Sequence, residues 1–145
     1  MMQIVNQAKL EFQSLPANVA FARVTVAAFA SQLDFTLNDL EEIKVAVSEA
    51  VANAIVHGYE NKTSGIVYVN MAILDNTLEL KVWDYGRGIP DVKKAMQMTY
   101  STDPERMGLG FVFMQSFMDS LHVDSTPGKG TTVTMVKSAA SVVPV

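Results

Sequence analysis

Residues 48–59 read SEAVANAIVHGY, and this stretch decides the fold because it has the pattern of the end of a long buried helix. It is apolar on nearly every side, which is typical of a helix inside a protein core. Two polar residues, Glu49 and Asn53, are four positions apart and therefore share one face. Gly58 is a residue at which helices commonly end. The opposite face carries the apolar residues that we expect to meet the core: Leu40, Ile43, Val47, Val51 and Ala54.

Glu49 and Asn53 therefore need surroundings that are polar and yet sheltered from water. A bound ligand with a hard cation meets this need. A carboxylate such as Glu49 can act as a general base, and the amide oxygen of Asn53 can bind Mg²⁺. The alternative is a solvated patch on an amphipathic helix, and this stretch alone does not decide between the two.

Composition limits the class of protein. The chain has 145 residues, which is enough for one domain with a full core. Its 49% hydrophobic and 18% charged residues are typical of a folded protein rather than a disordered one. A net charge of -4 without a basic block argues against nucleic acid as a direct ligand. The absence of cysteine excludes disulfides and thiolate metal sites.

The sequence also gives no sign of export or of membrane insertion. The first residues lack the cationic region and apolar core of a signal peptide. The most apolar helical segment, residues 19–30, contains Arg23 and is too short to span a bilayer. We therefore expect a cytoplasmic protein that does not bind membranes.

Periodicity and turn residues predict strands and helices along the whole chain. Thr36 and Asp39 resemble a capping box that opens the long helix, which should run to about His57. Asp75 and Asn76 join a predicted hairpin. The predicted strands cover residues 4–15, 66–74, 77–83, 121–125 and 131–136, and the predicted helices cover residues 17–33, 36–57, 91–98 and 111–120.

These elements predict the α+β class. We expect a single-domain, two-layer sandwich in which helices cover one face of a mixed, mostly antiparallel sheet. The domain should cover residues 1–137, and residues 138–145 should form a disordered tail. Residues 99–107 are polar and lack a clear period, so they are predicted to be a mobile loop of the kind that often serves as a lid.

Two motifs contain closely spaced glycines. Residues 84–90 read DYGRGIP after a predicted strand, where Gly86 and Gly88 allow the backbone to approach a ligand. Residues 108–110 read GLG before a predicted helix, where free N–H groups and the helix dipole can bind an anion. Each motif alone is weak evidence, because most such strings are ordinary turns.

The order of the motifs is more specific. E-x-x-x-N-A-x-x-H-G at residues 49–58 is followed by D-x-G-x-G-I-P, then by G-x-G, and finally by GTTV at residues 130–133. In this order they resemble the four nucleotide-binding boxes of the GHKL ATPase and kinase superfamily, which includes gyrase, chaperones, histidine kinases and mismatch-repair proteins. The resemblance implies a Bergerat-type ATP-binding fold.

The resemblance also implies a role for each matching residue. Glu49 would be the catalytic base, Asn53 would bind Mg²⁺ on the ATP phosphates, and Asp84 would accept a hydrogen bond from the adenine amino group. Guanine lacks that donor, so ATP should be preferred to GTP. The other residues placed around ATP are Gly86 and Gly88 beside the nucleotide, Arg106, Gly108, Leu109 and Gly110 at the phosphates, and Thr131, which would reach adenine through water.

A closer resemblance covers nearly the whole chain. Residues 21–29 read FARVTVAAF, and with EIK at 42–44 and VSEAV at 47–51 they are similar to the anti-sigma F factors of endospore-forming bacteria. This resemblance implies a serine kinase that uses ATP and Mg²⁺ and leaves ADP. It implies a sigma factor of the sigma-F type as the inhibited partner, a STAS-type anti-anti-sigma factor as the phosphorylated and inactivated substrate, and a homodimer.

Arg23 is the only charge in the first predicted helix. Its side chain could extend from the edge of a core helix to water, or it could contact a partner protein on an exposed helix face. The resemblance to anti-sigma F factors favours the contact with a partner.

Two other functions are compatible with an ATP site. The catalytic domain of a histidine kinase could act in trans, although the chain has only two histidines, His57 and His122, and no helical hairpin with a phosphoacceptor histidine. A nucleotide-dependent binding module without significant kinase turnover would bind ATP but would phosphorylate no partner.

Overall fold

The computed structural model describes residues 3–96 and 107–140. In chain order the elements are β1 (Ile4–Gln13), α1 (Asn18–Ala30), α2 (Leu37–Asn53), β2 (Ile66–Leu74), β3 (Thr77–Asp84), α3 (Val92–Ala95), α4 (Met107–Phe117), β4 (Ser120–Thr126) and β5 (Gly130–Ser138). A π-helical turn, Ala54–Gly58, continues α2, so the long helix reaches the predicted end. In the part of the chain that the structure describes, no helix is both long and apolar enough to cross a membrane.

The sheet has five strands in the order β1-β2-β3-β5-β4. All four pairings are antiparallel, so the described strands contain no parallel pair and the sheet is not mixed there. The combination of this sheet with the helices confirms the α+β class. Since β3 and β5 run in opposite directions, Asp84 at the end of β3 pairs with Thr131 near the start of β5. This register places the second and fourth motifs side by side.

The core lies between one face of the sheet and the helices. In β3 the alternating residues Leu78, Leu80 and Val82 are at most 2% exposed, as their spacing predicted. The predicted stripe of α2 is buried as well, with Leu40 partly buried against the same cluster. Phe111 of α4 is also fully buried. The helices therefore form one layer and the sheet forms the other.

The first helix has apolar residues on several faces and buries only one of them. The stripe that contains Ala20 and Val24 is exposed at these two positions, and Val24 is 65% exposed. The side chains that α1 buries are Ala22, Val26, Phe29 and Ala30. In a segment with apolar residues on all sides, periodicity gives little contrast between faces, so the contact with α2 selects the buried one.

The ordered chain also continues beyond residue 137. Ser138 ends β5, and Ala139 is buried with its N–H donating to the carbonyl oxygen of Asn76 at 2.9 Å. The predicted disordered tail therefore does not begin at Ser138, and residues 141–145 lie outside the described part of the chain. The third helix is shorter than predicted, and Asp91 caps it by accepting from the N–H of Lys94 at 3.1 Å.

The start of α2 is fixed by the predicted capping box. The Thr36 hydroxyl accepts from the N–H of Asp39 at 3.0 Å, and the Asp39 carboxylate accepts from the N–H of Thr36 at 3.1 Å. Lys137 of β5 lies nearby, with its ammonium 3.7 Å from the Glu42 carboxylate and donating to the carbonyl oxygen of Phe117 at 2.5 Å. The capping box and this lysine together hold the beginning of α2 against β5 and the end of α4.

Replacing Thr36 by alanine should destabilise the protein by about 1 kcal/mol, because the first turn of α2 loses its side-chain acceptor. Urea unfolding measures the change in the free energy of unfolding. Asn38→Ala is the matched control, since Asn38 is an exposed residue of the same turn and does not cap the helix. Equal stability of Thr36→Ala and the wild type would contradict the assigned role of the cap.

Candidate functional site

The end of α2 is attached to the loop that follows β3. The last carbonyl groups of a helix have no partner within it, and here two of them accept hydrogen bonds from Arg87. The N–H of Arg87 donates to the carbonyl oxygen of Gly58, and its Nε donates to that of His57, both at 2.9 Å. The π-helical turn that presents these carbonyls is a rare conformation that is frequent at functional sites.

Gly86 is required by this attachment. A Cβ at Gly86 would overlap the carbonyl oxygen of Gly58, so the absent side chain leaves room for the end of α2. The sequence suggested a different reason, the approach of a ligand to the backbone. Gly88, two residues further on, has a φ of 75° and lines the pocket described below.

Asp84 is a buried acid at the end of β3. It is 6% exposed, and its Oδ1 accepts from the N–H of Gly86 at 2.9 Å. Burial raises the pKa of Asp84 to about 6, although hydrogen bonds from the backbone of Gly86 and Thr131 oppose the shift. A carboxylate has about four acceptor positions, so these two donors leave capacity for a hydrogen bond from a ligand.

A small pocket lies between α2 and the sheet, and Asp84 is part of its wall. Apolar side chains form most of the remaining wall, a combination that suits a flat apolar ligand carrying a few polar groups. The lining residues include Ala50, Asn53, Ala54, His57, Val82, Ile89, Phe111, Thr131 and Val133. The pocket thus brings the first, second and fourth sequence motifs together.

Glu49 and Asn53 face the first turn of α4. A Cβ at Gly110 would lie 3.0 Å from Oε2 of Glu49 and 3.4 Å from Nδ2 of Asn53, so the glycine allows α4 to approach the polar face of α2. The amide nitrogen of Asn53 is buried and has no hydrogen-bond partner among the described residues. Glu49 and Asn53 are therefore packed against the first turn of α4, and both are partly buried.

The third motif lies inside α4 and not in front of it. The helix covers Met107–Phe117, so Gly108 and Leu109 lie inside it, and the N–H groups at the N-terminus of a helix have no acceptor within it. These N–H groups and the helix dipole can bind a phosphate. The predicted start at residue 111 is therefore too late, and the glycine motif forms part of the helix.

A magnesium ion fits the residues at this site. The described residues contain no group of three or more His, Asp or Glu side chains that could hold a metal on their own. The carbonyl oxygen of Asn53 is a suitable hard ligand, and Mg²⁺ commonly takes its other ligands from water and from substrate phosphates. The site therefore suits a cation that arrives with a polyphosphate.

Thr131 forms part of the pocket wall on the sheet side, and Ser125 supports it from outside the lining. Thr131 is 8% exposed, and its hydroxyl lies 2.8 Å from that of Ser125. The Ser125 hydroxyl also accepts from the N–H of Ile89 at 2.7 Å, which ties the loop after β3 to β4. Ser125 was not predicted, because a serine in a strand carries no signal until the partner strand is known.

One predicted residue, Arg23, lies apart from the pocket. Arg23 is partly buried on α1 and is not among the residues that line the pocket. Val24, the next residue in the chain, is 65% exposed, and Phe21, earlier in the same helix, is 50% exposed. Arg106 and most of the predicted loop, residues 97–106, fall outside the described part of the chain.

Comparison with known proteins identifies the family. Residues 12–137 match the family model described as histidine kinase-like ATPase domain. The chain belongs to this family. Family membership implies nucleotide binding.

Curated relatives are identical to this chain at about half of the aligned positions. The chain is 53% identical over 138 residues to an anti-sigma F factor of Caldanaerobacter subterraneus subsp. tengcongensis, covering 94% of this chain and 96% of the relative. It is 50% identical over 137 residues to an anti-sigma F factor of Clostridium acetobutylicum, covering 93% and 95%. These relatives confirm the resemblance that the motifs indicated.

Solved structures agree in fold. The RsbU and RsbW domains of a Mycobacterium tuberculosis protein align with a TM-score of 0.63 at 20% identity, over 97% of this chain and 35% of that one, so this chain spans about a third of that structure. The catalytic domain of the histidine kinase ThkA aligns with a TM-score of 0.59 at 18% identity, over 90% and 95%. At these identities the alignments establish the fold only.

The raised pKa of Asp84 gives a pH-dependent stability. The folded protein holds this proton up to a pH of about 6, whereas the unfolded chain releases it near 3.8. The proton bound to Asp84 therefore stabilises the folded protein fully when the pH is below the pKa of the unfolded chain. This stabilisation is lost as the pH rises through the pKa of the folded protein. Between pH 4 and pH 7 the free energy of unfolding of the wild type, minus that of Asp84→Asn, should fall by about 2 kcal/mol.

Chemical unfolding at several pH values measures this difference. The same substitution at the exposed Asp124 of β4 is the control for the change from acid to amide. A difference that is constant from pH 4 to pH 7 would show that Asp84 does not titrate differently in the folded protein.

Proposed function

We propose that this protein is an anti-sigma factor that is also an ATP-dependent serine kinase. The proposed partners are a sigma factor of the sigma-F type, which is held inactive, and a STAS-type anti-anti-sigma factor, which is inactivated by phosphorylation. The identity of about 50% to anti-sigma F factors supports the first activity. The single observation that carries the second is the packing of Glu49 and Asn53 against the first turn of α4.

ATP would occupy the pocket with its base toward the sheet. Asp84 would accept from the adenine amino group, and Thr131 beside it would reach the base through water. The phosphates would then lie toward α4, where the N–H groups of Gly108 and Leu109 are available. Mg²⁺, bound by the carbonyl oxygen of Asn53, would neutralise charge on the phosphates.

In the transfer step, the hydroxyl oxygen of the acceptor serine attacks the γ-phosphorus of ATP. The bond from that phosphorus to the β,γ-bridging oxygen breaks and ADP leaves. Glu49 receives the serine proton, and the first-turn N–H groups of α4, assisted by Arg106, stabilise charge on the transferred group. Phosphoryl transfer depends mainly on positioning and electrostatics, so this small set of residues is sufficient.

The exposed part of α1 is the proposed partner surface. Arg23 supplies a charge, and Phe21 and Val24 of the same helix expose apolar area that a protein partner can cover. We propose a homodimer as well, as the resemblance to anti-sigma F factors implies.

The direct experiment incubates the purified protein with γ-labelled ATP, Mg²⁺ and a lysate of its source organism. An acid-stable label on one small protein supports transfer to serine or threonine. An acid-labile label would indicate a phosphohistidine and the function of a histidine kinase acting in trans. Bound ATP with no labelled protein would indicate a nucleotide-dependent binding module.

Replacing Glu49 by glutamine should reduce the phosphorylation rate by at least about 100-fold, because the base that receives the serine proton is lost. ATP affinity should change little, since Glu49 is assigned to the transfer step and not to binding. Glu41→Gln is the matched control, because Glu41 is an exposed glutamate of the same helix. Phosphorylation by Glu49→Gln at the wild-type rate would rule out the assignment of the base.

A further inference from the structure

Tyr59 makes a contact that the sequence motifs do not explain. It follows the π-helical turn directly, and its hydroxyl oxygen accepts from the N–H of Tyr85 at 2.8 Å. Tyr85 is the residue after Asp84. The two N–H groups that follow Asp84 are thus both held: that of Tyr85 by Tyr59, and that of Gly86 by the Asp84 carboxylate itself.

The same hydroxyl has a second partner. It donates to the carbonyl oxygen of Ile66, the first residue of β2, at 2.5 Å. One oxygen atom therefore joins the loop after β3 to the start of the neighbouring strand. Burial raises the pKa of Tyr59 above its ordinary value of 10.0, so the phenol keeps its proton near neutral pH and can donate.

We propose that Tyr59 is a positioning residue for base recognition, which fixes the Tyr85 N–H and thereby the direction in which the Asp84 carboxylate enters the pocket. Tyr59 is not among the residues that line this pocket, so it acts through Asp84 and does not touch the nucleotide. The two Arg87 hydrogen bonds hold the loop beyond Asp84. Tyr59 holds Tyr85, the residue directly after Asp84. The inference rests on the proposed binding of ATP at this site.

The test is Tyr59→Phe, which keeps the aromatic ring and removes only the hydroxyl. Tyr68→Phe is the matched control, because the Tyr68 ring stacks on Trp83 and lies edge-on to Tyr85 while its hydroxyl is not assigned to the loop. Calorimetric titration gives the dissociation constants for ATP and for GTP, and amide hydrogen exchange reports on the Tyr85 N–H.

In Tyr59→Phe, ATP should bind about five- to tenfold more weakly, the range that follows from losing a hydrogen bond that orients the acceptor. The affinity for GTP should change less, because guanine does not donate to Asp84, so the preference for ATP should fall. The Tyr85 N–H should exchange faster. Tyr68→Phe should keep the wild-type affinities and the wild-type exchange rate.

Two results would overturn the inference. One is an unchanged affinity for ATP in Tyr59→Phe, and the other is an equal loss of ATP and GTP affinity together with a lower melting temperature, which would show a structural role only. A wild-type protein that fails to bind ATP would instead contradict the proposed function, so the two failures can be distinguished.

Discussion

The hydrogen bonds between the end of α2 and the loop after β3 are the contact on which the site depends. Residues far apart in the sequence supply the two halves of the pocket, because α2 carries Glu49 and Asn53 whereas β3 ends at Asp84. Arg87 joins these halves through the carbonyl groups of His57 and Gly58. This attachment, together with the packing of α2 on the sheet, fixes the acid relative to the polar face of the helix.

The site contains polar groups whose burial costs free energy. The amide nitrogen of Asn53 is buried without a partner among the described residues, and Asp84 is buried with a pKa of about 6. In a protein interior such groups normally have partners. Perturbed acids and unsatisfied donors are concentrated at binding sites, where a ligand supplies the missing partner. The rest of the core follows ordinary rules, with Leu80 and its apolar neighbours fully buried.

Much of the fold could be predicted because local signals agreed with it. The capping residues Thr36 and Asp39, the Asp75-Asn76 hairpin and the alternation in β3 act over a few residues, and the structure contains all three. The order of the four motifs indicated the family, because the four together are more specific than any one of them alone.

The parts that sequence could not supply depend on contacts between distant segments. The π-helical turn, the partners of the Tyr59 hydroxyl and the contact between Ser125 and Thr131 all require the sheet to be assembled first. The buried face of α1 was missed because apolar residues surround that helix. The start of α4 at Met107 was missed because intrinsic propensity places Gly108 and Gly110 outside helices.

A structure of the protein with a non-hydrolysable ATP analogue and Mg²⁺ tests the central claim most directly. We expect the adenine amino group to lie within hydrogen-bonding distance of the Asp84 carboxylate, and the phosphates to lie between Asn53 and the first turn of α4. A nucleotide bound instead on the other face of the sheet, in the open groove beside Trp83 and Lys129, would contradict it.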